Sequence, residues 1–195
     1  MHKEDIVQFF DRLAPQWDAD MIRSDEKIAQ IFDGADIRPG VTVLDVACGT
    51  GVLFPDYLAR QVASVTAVDI SPEMVKIAAA KYPQENICVV CADVEALDPA
   101  LRFDRIMVYN AFPHFPNPEQ LIASLCAHLN PDGTLTVAHG MSRAAIDSHH
   151  AGTASKVSVG LMHEDDLERI FSRHLTVITK ISDDQMYQLT GKKNH

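Results

Sequence analysis

Apolar segments that alternate with helical segments between residues 39 and 140 constrain the fold of this chain more than any other feature. Each segment is apolar along most of its length rather than at every second position, which is typical of strands covered on both faces. Parallel strands need a crossover connection, and a helix usually supplies it. The segments lie at 41–47, 65–69, 87–92, 105–109 and 134–138. The sequence therefore predicts an α/β fold with a doubly wound, mostly parallel sheet and helices on both faces.

The two ends of the chain show other patterns. Apolar residues recur at helical spacing over 6–17, but Pro15 interrupts them, which predicts a helix followed by a turn. A second helix should begin after the N-cap Ser24 and end at Gly34. Residues 140–160 have no clear period. A helix and two hairpin strands are predicted beyond them, at 164–173, 175–181 and 185–190.

Composition excludes several classes of protein. The 195 residues include 17 Lys and Arg against 27 Asp and Glu, a formal net charge of −10. A surface this acidic repels phosphate backbones, so we expect no nucleic acid partner. No apolar run approaches the ~20 residues needed to span a bilayer, and the charged start is unlike a signal peptide. We therefore expect a cytoplasmic protein without a membrane partner, folded as one domain over 1–195.

Cys88 and Cys91 form a C-x-x-C pair, a spacing that occurs in metal and redox sites. The pair lies within the predicted strand 87–92. Residues i and i+3 of a strand point to opposite faces, so the two thiols cannot share a metal ion. We therefore expect both to be core cysteines.

The loop after the first apolar strand contains Gly49 and Gly51, which permit a tight turn and close approach of a ligand to the backbone. A dinucleotide fingerprint would need a third small residue where this chain has Phe54. Asp45, just before the loop, would repel a diphosphate but suits an ammonium group. At the end of the second strand, Asp69 is placed to accept hydrogen bonds from both hydroxyls of a ribose. This loop favours a zwitterionic ligand over a dinucleotide.

Four segments in order along the chain resemble motifs of the class I S-adenosylmethionine-dependent methyltransferases, particularly the small-molecule group that includes the ubiquinone and menaquinone C-methyltransferases. They are LDVACGTG at 44–51, VDIS at 68–71, ADVE at 92–95 and LNPDGTL at 129–135. The resemblance implies a Rossmann-like sheet of seven strands with the last strand antiparallel, and S-adenosylmethionine as the cofactor.

The resemblance also implies how this chain holds the cofactor. The first motif meets the methionine part, Asp69 the ribose, and Asp93 the edge of the adenine. Residues 10–18 resemble an F-D-x-x-A-x-x-Y-D element that closes over the cofactor, with Trp17 in place of its tyrosine. The cofactor-binding residues implied in this way are Trp17, Asp45, Ala47, Cys48, Gly49, Gly51, Asp69, Ile70, Met74, Asp93, Val94, Asn110 and Ala111.

The activity implied by the resemblance is transfer of a methyl group to a small-molecule acceptor by in-line displacement. Residues 1–34 would then form an N-terminal helical cap, and 140–162 an insertion on the substrate side. Two alternatives remain open: a cofactor-binding protein that is non-catalytic or catalyses another reaction, and a methyltransferase acting on a macromolecule.

Four histidines lie near the predicted acceptor side. His114 follows the fourth strand, His139 ends the fifth, and His149 and His150 come in the segment after it. The carboxyl ends of these strands border the pocket of a doubly wound fold. His114 and His139 are therefore candidate catalytic residues, as a base or an anion-binding group. All four are candidate metal ligands or ordinary surface residues, and we predict no metal site.

Overall fold

The computed structural model describes residues 2–152 and 157–194, and only the backbone of 149–152. The described residues form a seven-stranded sheet of order β3-β2-β1-β4-β5-β7-β6. Neighbours among β1 to β5 are parallel, whereas β7 runs antiparallel to β5 and β6. The predicted sheet and its antiparallel last strand are confirmed. The strands are β1 Thr42–Val46, β2 Ser64–Asp69, β3 Ile87–Cys91, β4 Phe103–Tyr109, β5 Leu129–His139, β6 Leu175–Ser182 and β7 Tyr187–Lys193.

Helices cover both faces of the sheet and enclose two apolar clusters. One cluster includes Ile122 and Phe171, and the other includes Ile28, Phe32 and Tyr57, all of them almost fully buried. In the described residues the α-helices are α1 Lys3–Asp20, α2 Asp25–Gly34, α3 Phe54–Ala59, α4 Pro72–Lys81, α5 Pro118–Ala127, α6 Arg143–Gly152 and α7 Glu164–Phe171. In addition, short 3₁₀ turns occur at Val94–Ala96 and Phe112–His114.

Helix α1 differs from the predicted helix and turn, because it continues through Pro15. Proline removes one helical hydrogen bond, which would normally bend or end the helix. Here α1 is held on both sides of the proline. The Asp11 carboxylate accepts bonds from the Ser71 hydroxyl and the Glu73 amide, and the Asp18 carboxylate accepts from Thr50 and Lys81. Tertiary anchors therefore keep the helix intact.

Cys88 and Cys91 are exposed, so the prediction that they are core residues was wrong. The reason is the strand order, because β3 lies at an edge of the sheet. The sequence of β3 is apolar enough for a central strand, and its position in the sheet cannot be read from that pattern.

The segment 140–160 contains helix α6, which its sequence did not predict. The Ser142 hydroxyl accepts a hydrogen bond from the Ala145 amide at the start of the helix, and Ile146 is buried. A helix with so few inward apolar residues produces no visible period. In residues 2–152 and 157–194, no helix is both long and apolar enough to cross a bilayer.

The strand order reverses between β1 and β4. From β1 the chain proceeds outward through β2 to β3, and it then returns to place β4 on the other side of β1. In an open parallel sheet, the loops after the two strands at such a reversal diverge and leave a crevice at their carboxyl ends. The fold therefore locates a binding site after β1 and β4.

Candidate active site

A cleft that is partly open to solvent lies at the carboxyl ends of β1, β2 and β4 and is covered by α1. Most of its wall is apolar. The residues predicted to bind the cofactor that line this cleft are Trp17, Ala47, Cys48, Gly49, Asp69, Ile70, Met74, Asp93, Val94, Asn110 and Ala111. Asp45 and Gly51 are not part of the wall. The structure thus brings most of the predicted set together in one place.

The loop after β1 gives a ligand access to the backbone at Gly49. Its φ of +56° lies in the left-handed region, and a Cβ added there would have, among the described residues, only the Trp17 Nε1 atom within 4 Å, at 3.8 Å. A Cβ added to Gly51 would approach the Phe54 ring to 2.7 Å. Gly49 therefore opens toward the cleft, whereas Gly51 permits the packing of Phe54 behind the loop.

Asp69 is a nearly buried carboxylate at the end of β2. One carboxylate oxygen accepts a hydrogen bond from the Gly49 amide at 2.8 Å, and the other accepts from the Ser71 amide at 2.9 Å. Each oxygen can accept more than one hydrogen bond. Burial raises the pKa of Asp69, although these amides oppose the shift. A ligand that donates hydroxyl groups would meet acceptors already fixed in position.

Asp45 lies in β1, with its side chain buried. Loss of hydration raises the pKa of Asp45 well above its usual range, and the negative charge of Asp69 adds to the shift. Because Asp45 does not line the cleft, the structure shows no direct path to a ligand, and its contact with the methionine part stays a prediction.

Lys3 and Arg23 line the cleft but were not predicted from the sequence. Lys3 pairs with Asp93 and Glu95, and thus connects α1 to the loop after β3. Arg23 binds the Asp56 carboxylate with its guanidinium at 2.8 Å. Neither basic residue belongs to a periodic pattern or a motif of the sequence. Their place in the cleft follows only from the folded positions of α1 and of the connection after it.

The candidate histidines separate in the structure. His114 lines the cleft, whereas His139 is buried and does not. The predicted opening of His139 onto the pocket is not found, because β7 flanks the end of β5 and places Tyr187 opposite His139. The side chains of His149 and His150 lie outside the described residues. Among the side chains that are described, no three His, Cys, Asp or Glu groups are arranged to hold a metal ion.

Comparison with known proteins supports the interpretation of this cleft. Residues 43–133 match a family described as a methyltransferase domain. A ubiquinone biosynthesis O-methyltransferase of Coxiella burnetii is 39% identical over 99 residues, which are 49% of this chain and 42% of the relative. One of the same name from Xanthomonas campestris is 31% identical over 149 residues, covering 69% of this chain and 59% of the relative. Over residues 43–133 this chain is similar to a methyltransferase domain, and its curated relatives support the resemblance to the class I S-adenosylmethionine-dependent methyltransferases.

Solved structures of methyltransferases share the fold. NodS, an N-methyltransferase from Bradyrhizobium japonicum bound to S-adenosylhomocysteine, superposes with a TM-score of 0.77 at 16% identity over 97% of this chain and 98% of NodS. The 1,6-didemethyltoxoflavin-N1-methyltransferase of Burkholderia thailandensis superposes with a TM-score of 0.72 at 21% identity, over 99% of this chain and 87% of that enzyme. The chain spans about half the length of the curated relatives it matches, 42% to 59%.

S-adenosylmethionine, the cofactor of this methyltransferase class, fits the residues of the cleft. The Asp69 carboxylate can accept from its ribose hydroxyls. Ile70, Met74 and Val94 supply an apolar wall of the kind that an adenine ring needs. The open space before Gly49 allows the methionine part to approach the backbone.

Asp69→Asn should weaken S-adenosylmethionine binding by about 1.5–3 kcal/mol, or roughly 10- to 100-fold, because hydroxyl donors lose a charged acceptor. Isothermal titration calorimetry measures this change. Asp104→Asn is the matched control, since Asp104 also accepts a backbone N–H bond, from Thr42, but lies outside the cleft. Equal affinity of Asp69→Asn and the wild type would contradict the ribose assignment.

Cofactor affinity should also depend on pH through Asp69. Because burial raises its pKa above the ordinary 3.8, the carboxylate is lost at a higher pH than for an exposed aspartate. Affinity should stay constant above that raised pKa and fall as the pH decreases through it, since a protonated carboxyl has fewer acceptor sites. Titration calorimetry of wild type and Asp69→Asn gives the test. Asp45 titrates in both proteins, so parallel pH curves would exclude a contribution from Asp69.

Proposed function

We propose that this protein transfers the methyl group of S-adenosylmethionine to a small-molecule acceptor by in-line displacement. The observation that carries the proposal is a single cleft wall shared by Gly49 and Asp69 with Asn110 and His114, which follow β4. The bound cofactor supplies a methyl group on a sulfonium, whose leaving group departs neutral. The protein then contributes orientation and exclusion of water.

The order of the strands supports this arrangement. β3, β2, β1 and β4 lie side by side, and at their carboxyl ends stand, in the same order, Asp93, Asp69, Gly49 and Asn110. An elongated cofactor with its adenine near Asp93 and its ribose at Asp69 has its methionine part at the loop after β1. Its methyl group is then directed toward the residues after β4, where an acceptor would bind.

The covering of the cleft favours a small acceptor. α1 lies across the cleft, anchored through Lys3 at one end and Asp18 near the other. Ile22 and Pro116 are exposed lining residues and mark its rim. A site enclosed in this way suits a molecule that can be largely buried, rather than a residue of a folded macromolecule. The net charge of −10 further disfavours RNA as the acceptor.

Turnover with a panel of acceptors tests the proposed function. Thiols, phenols, quinols and amines are incubated with the protein and S-adenosylmethionine, and S-adenosylhomocysteine is measured together with the methylated product. Asp69→Asn is the matched low-affinity variant. Binding of the cofactor without product from any acceptor would favour a non-catalytic protein, and product only with RNA or protein would favour a macromolecular acceptor.

A further inference from the structure

Strand β3 lies at an edge of the sheet, and every second residue of it directs its main-chain groups outward. The Asn86 carbonyl accepts a hydrogen bond from β2, and the Ala92 amide donates one to β2. Successive residues of a strand point their N–H and C=O groups to opposite sides, so the even-numbered residues of β3 bond to β2. The main-chain groups of Val89 and Cys91 therefore point away from the sheet.

These outward groups have no partner in the described part of the chain. Neither the N–H nor the C=O of Val89 or Cys91 is hydrogen-bonded to another described residue. The strand Ile87–Cys91 contains no charged residue and no proline, and Cys88 and Cys91 are exposed. Free main-chain donors and acceptors on an apolar edge form a template on which a further strand can pair.

The opposite edge of the sheet differs from β3, because β6 is protected against pairing. Its register with β7 shifts between Val177 and Thr179, and Lys180 stands on its exposed side. Irregular pairing and lysine side chains are two of the means by which natural proteins prevent an edge strand from pairing with another chain. β3 has neither. Of the two sheet edges that a second copy of this chain would offer, β3 is therefore the one open to pairing.

We propose that β3 is a self-association surface, to which β3 of a second copy of this chain adds as an antiparallel strand. The twofold axis passes through the sheet beside Val90, so Val90 faces the same residue of the second copy, and Val89 faces Cys91. Residues that face each other in a hydrogen-bonded pair exchange both of their N–H···O bonds. The two symmetric pairs of Val89 with Cys91 therefore form four hydrogen bonds, and every free main-chain group of these residues is bonded.

The edge suits a second copy because it is complementary to itself. The donors and acceptors of Val89 and Cys91 match in number and spacing those of the same two residues turned by the twofold axis. The paired residues, 88–92, are uncharged, so two chains with a net charge of −10 meet there without like charges face to face. Two five-residue strands make a small contact beside the ~1,200–2,000 Å² of stable interfaces, so we expect a reversible dimer.

Association through β3 leaves both clefts open. Each cleft lies at the carboxyl ends of the parallel strands of its own copy. Antiparallel pairing directs the carboxyl ends of the two sheets in opposite directions, so no residue of one copy enters the cleft of the other. The inference is therefore independent of the proposed function, and turnover per subunit should not change with association.

Analytical ultracentrifugation of the full chain over a concentration series tests the proposal. The wild type should show a monomer–dimer equilibrium. Val89→Pro should raise its dissociation constant roughly tenfold or more, because proline removes the N–H that bonds to the second copy. The variant should remain folded, as judged by circular dichroism, since this N–H makes no bond to β2.

Val89→Ile is the matched control, because it keeps both the N–H and an apolar, β-branched side chain at the same position. Its dissociation constant should be close to that of the wild type. A wild type that stays monomeric throughout the series would overturn the proposal. Equal dissociation constants for Val89→Pro and Val89→Ile would also overturn it.

Disulfide trapping tests the register, and it does not require Val89→Pro to fold. Val90→Cys in a Cys88→Ser, Cys91→Ser background places a thiol opposite its own copy. The Cα atoms of such a non-hydrogen-bonded pair are ~4.5 Å apart, within the range of a disulfide. Mild oxidation should therefore give a dimer on a non-reducing gel.

Ile178→Cys in the same background is the matched control for trapping, because Ile178 is 50% exposed on the other edge strand, β6. It should remain largely monomeric under the same oxidation. The absence of a crosslink through position 90, or equal crosslinking through positions 90 and 178, would overturn the proposed pairing of β3.

Discussion

Gly49→Val should reduce the affinity for S-adenosylmethionine by more than about 3 kcal/mol, or at least 100-fold. Gly49 has a φ of +56°, and a Cβ placed there points toward the cleft, with only Trp17 of the described residues within 4 Å. The two methyl groups of valine would occupy the space that the methionine part needs. Isothermal titration calorimetry gives the affinity, and thermal unfolding without cofactor gives the stability.

Gly40→Val separates the loss of ligand space from backbone strain. Gly40 also has a positive φ, +81°, but no heavy atom of the described part of the chain lies within 4 Å of its added Cβ, and it is not part of the cleft wall. Both variants place a β-branched residue in the left-handed region and should be destabilised by a similar amount, ~1–2 kcal/mol. Only Gly49→Val should lose affinity. A comparable loss in both variants would mean that strain, rather than occupied space, is responsible.

Much of the sheet could be predicted because its pattern is local. The strands β1 to β4 are short segments that are mostly apolar, and capping residues mark the starts of helices, such as Ser24 before α2 and Ser71 before α4. The edge position of β3 depends on which strands pair, and no residue of β3 encodes that choice. Exposure of Cys88 and Cys91 could therefore not be predicted.

The candidate site likewise has a part that follows from local sequence patterns and a part that depends on contacts between distant segments. The glycine loop directly follows β1 and Asp69 is the last residue of β2, so the predicted carboxyl ends of these two strands place them together. Lys3 and Arg23 reach the cleft only because α1 folds back across the sheet, and His139 is shielded because β7 inserts beside β5. Contacts between distant segments determine these positions, so they cannot be predicted from the spacing of residues in the sequence.

Deletion of residues 2–20, which removes α1, should leave the sheet folded and lower affinity for S-adenosylmethionine at least 100-fold. Helix α1 contributes no residue to the two large apolar clusters on the sheet; its buried Ile6 belongs to a small cluster with Val157. It does contribute Phe10 and Trp17 to the cleft wall. Without them, the cofactor would be exposed to water on one side and lose apolar contacts of several kcal/mol. Circular dichroism measures the retained fold and calorimetry measures the affinity.

Two neighbouring phenylalanines distinguish covering of the cofactor from a general effect on α1. Phe10 lines the cleft, whereas Phe9 touches Phe10 and Arg12 but is not in the wall. Phe10→Ala should lower affinity about tenfold or more, since burial of a phenylalanine ring contributes about 1.5–3 kcal/mol, and Phe9→Ala should change it little.

Trp17 is the sole tryptophan, so its emission in the wild type should respond to saturating cofactor. Unchanged emission together with equal affinities of Phe9→Ala and Phe10→Ala would show that α1 does not cover the bound cofactor. The loss of cofactor affinity on deletion of α1 would then have to come from the removal of Asp11 and Asp18. Asp11 holds the start of α4 through Ser71, and Asp18 holds the glycine loop through Thr50.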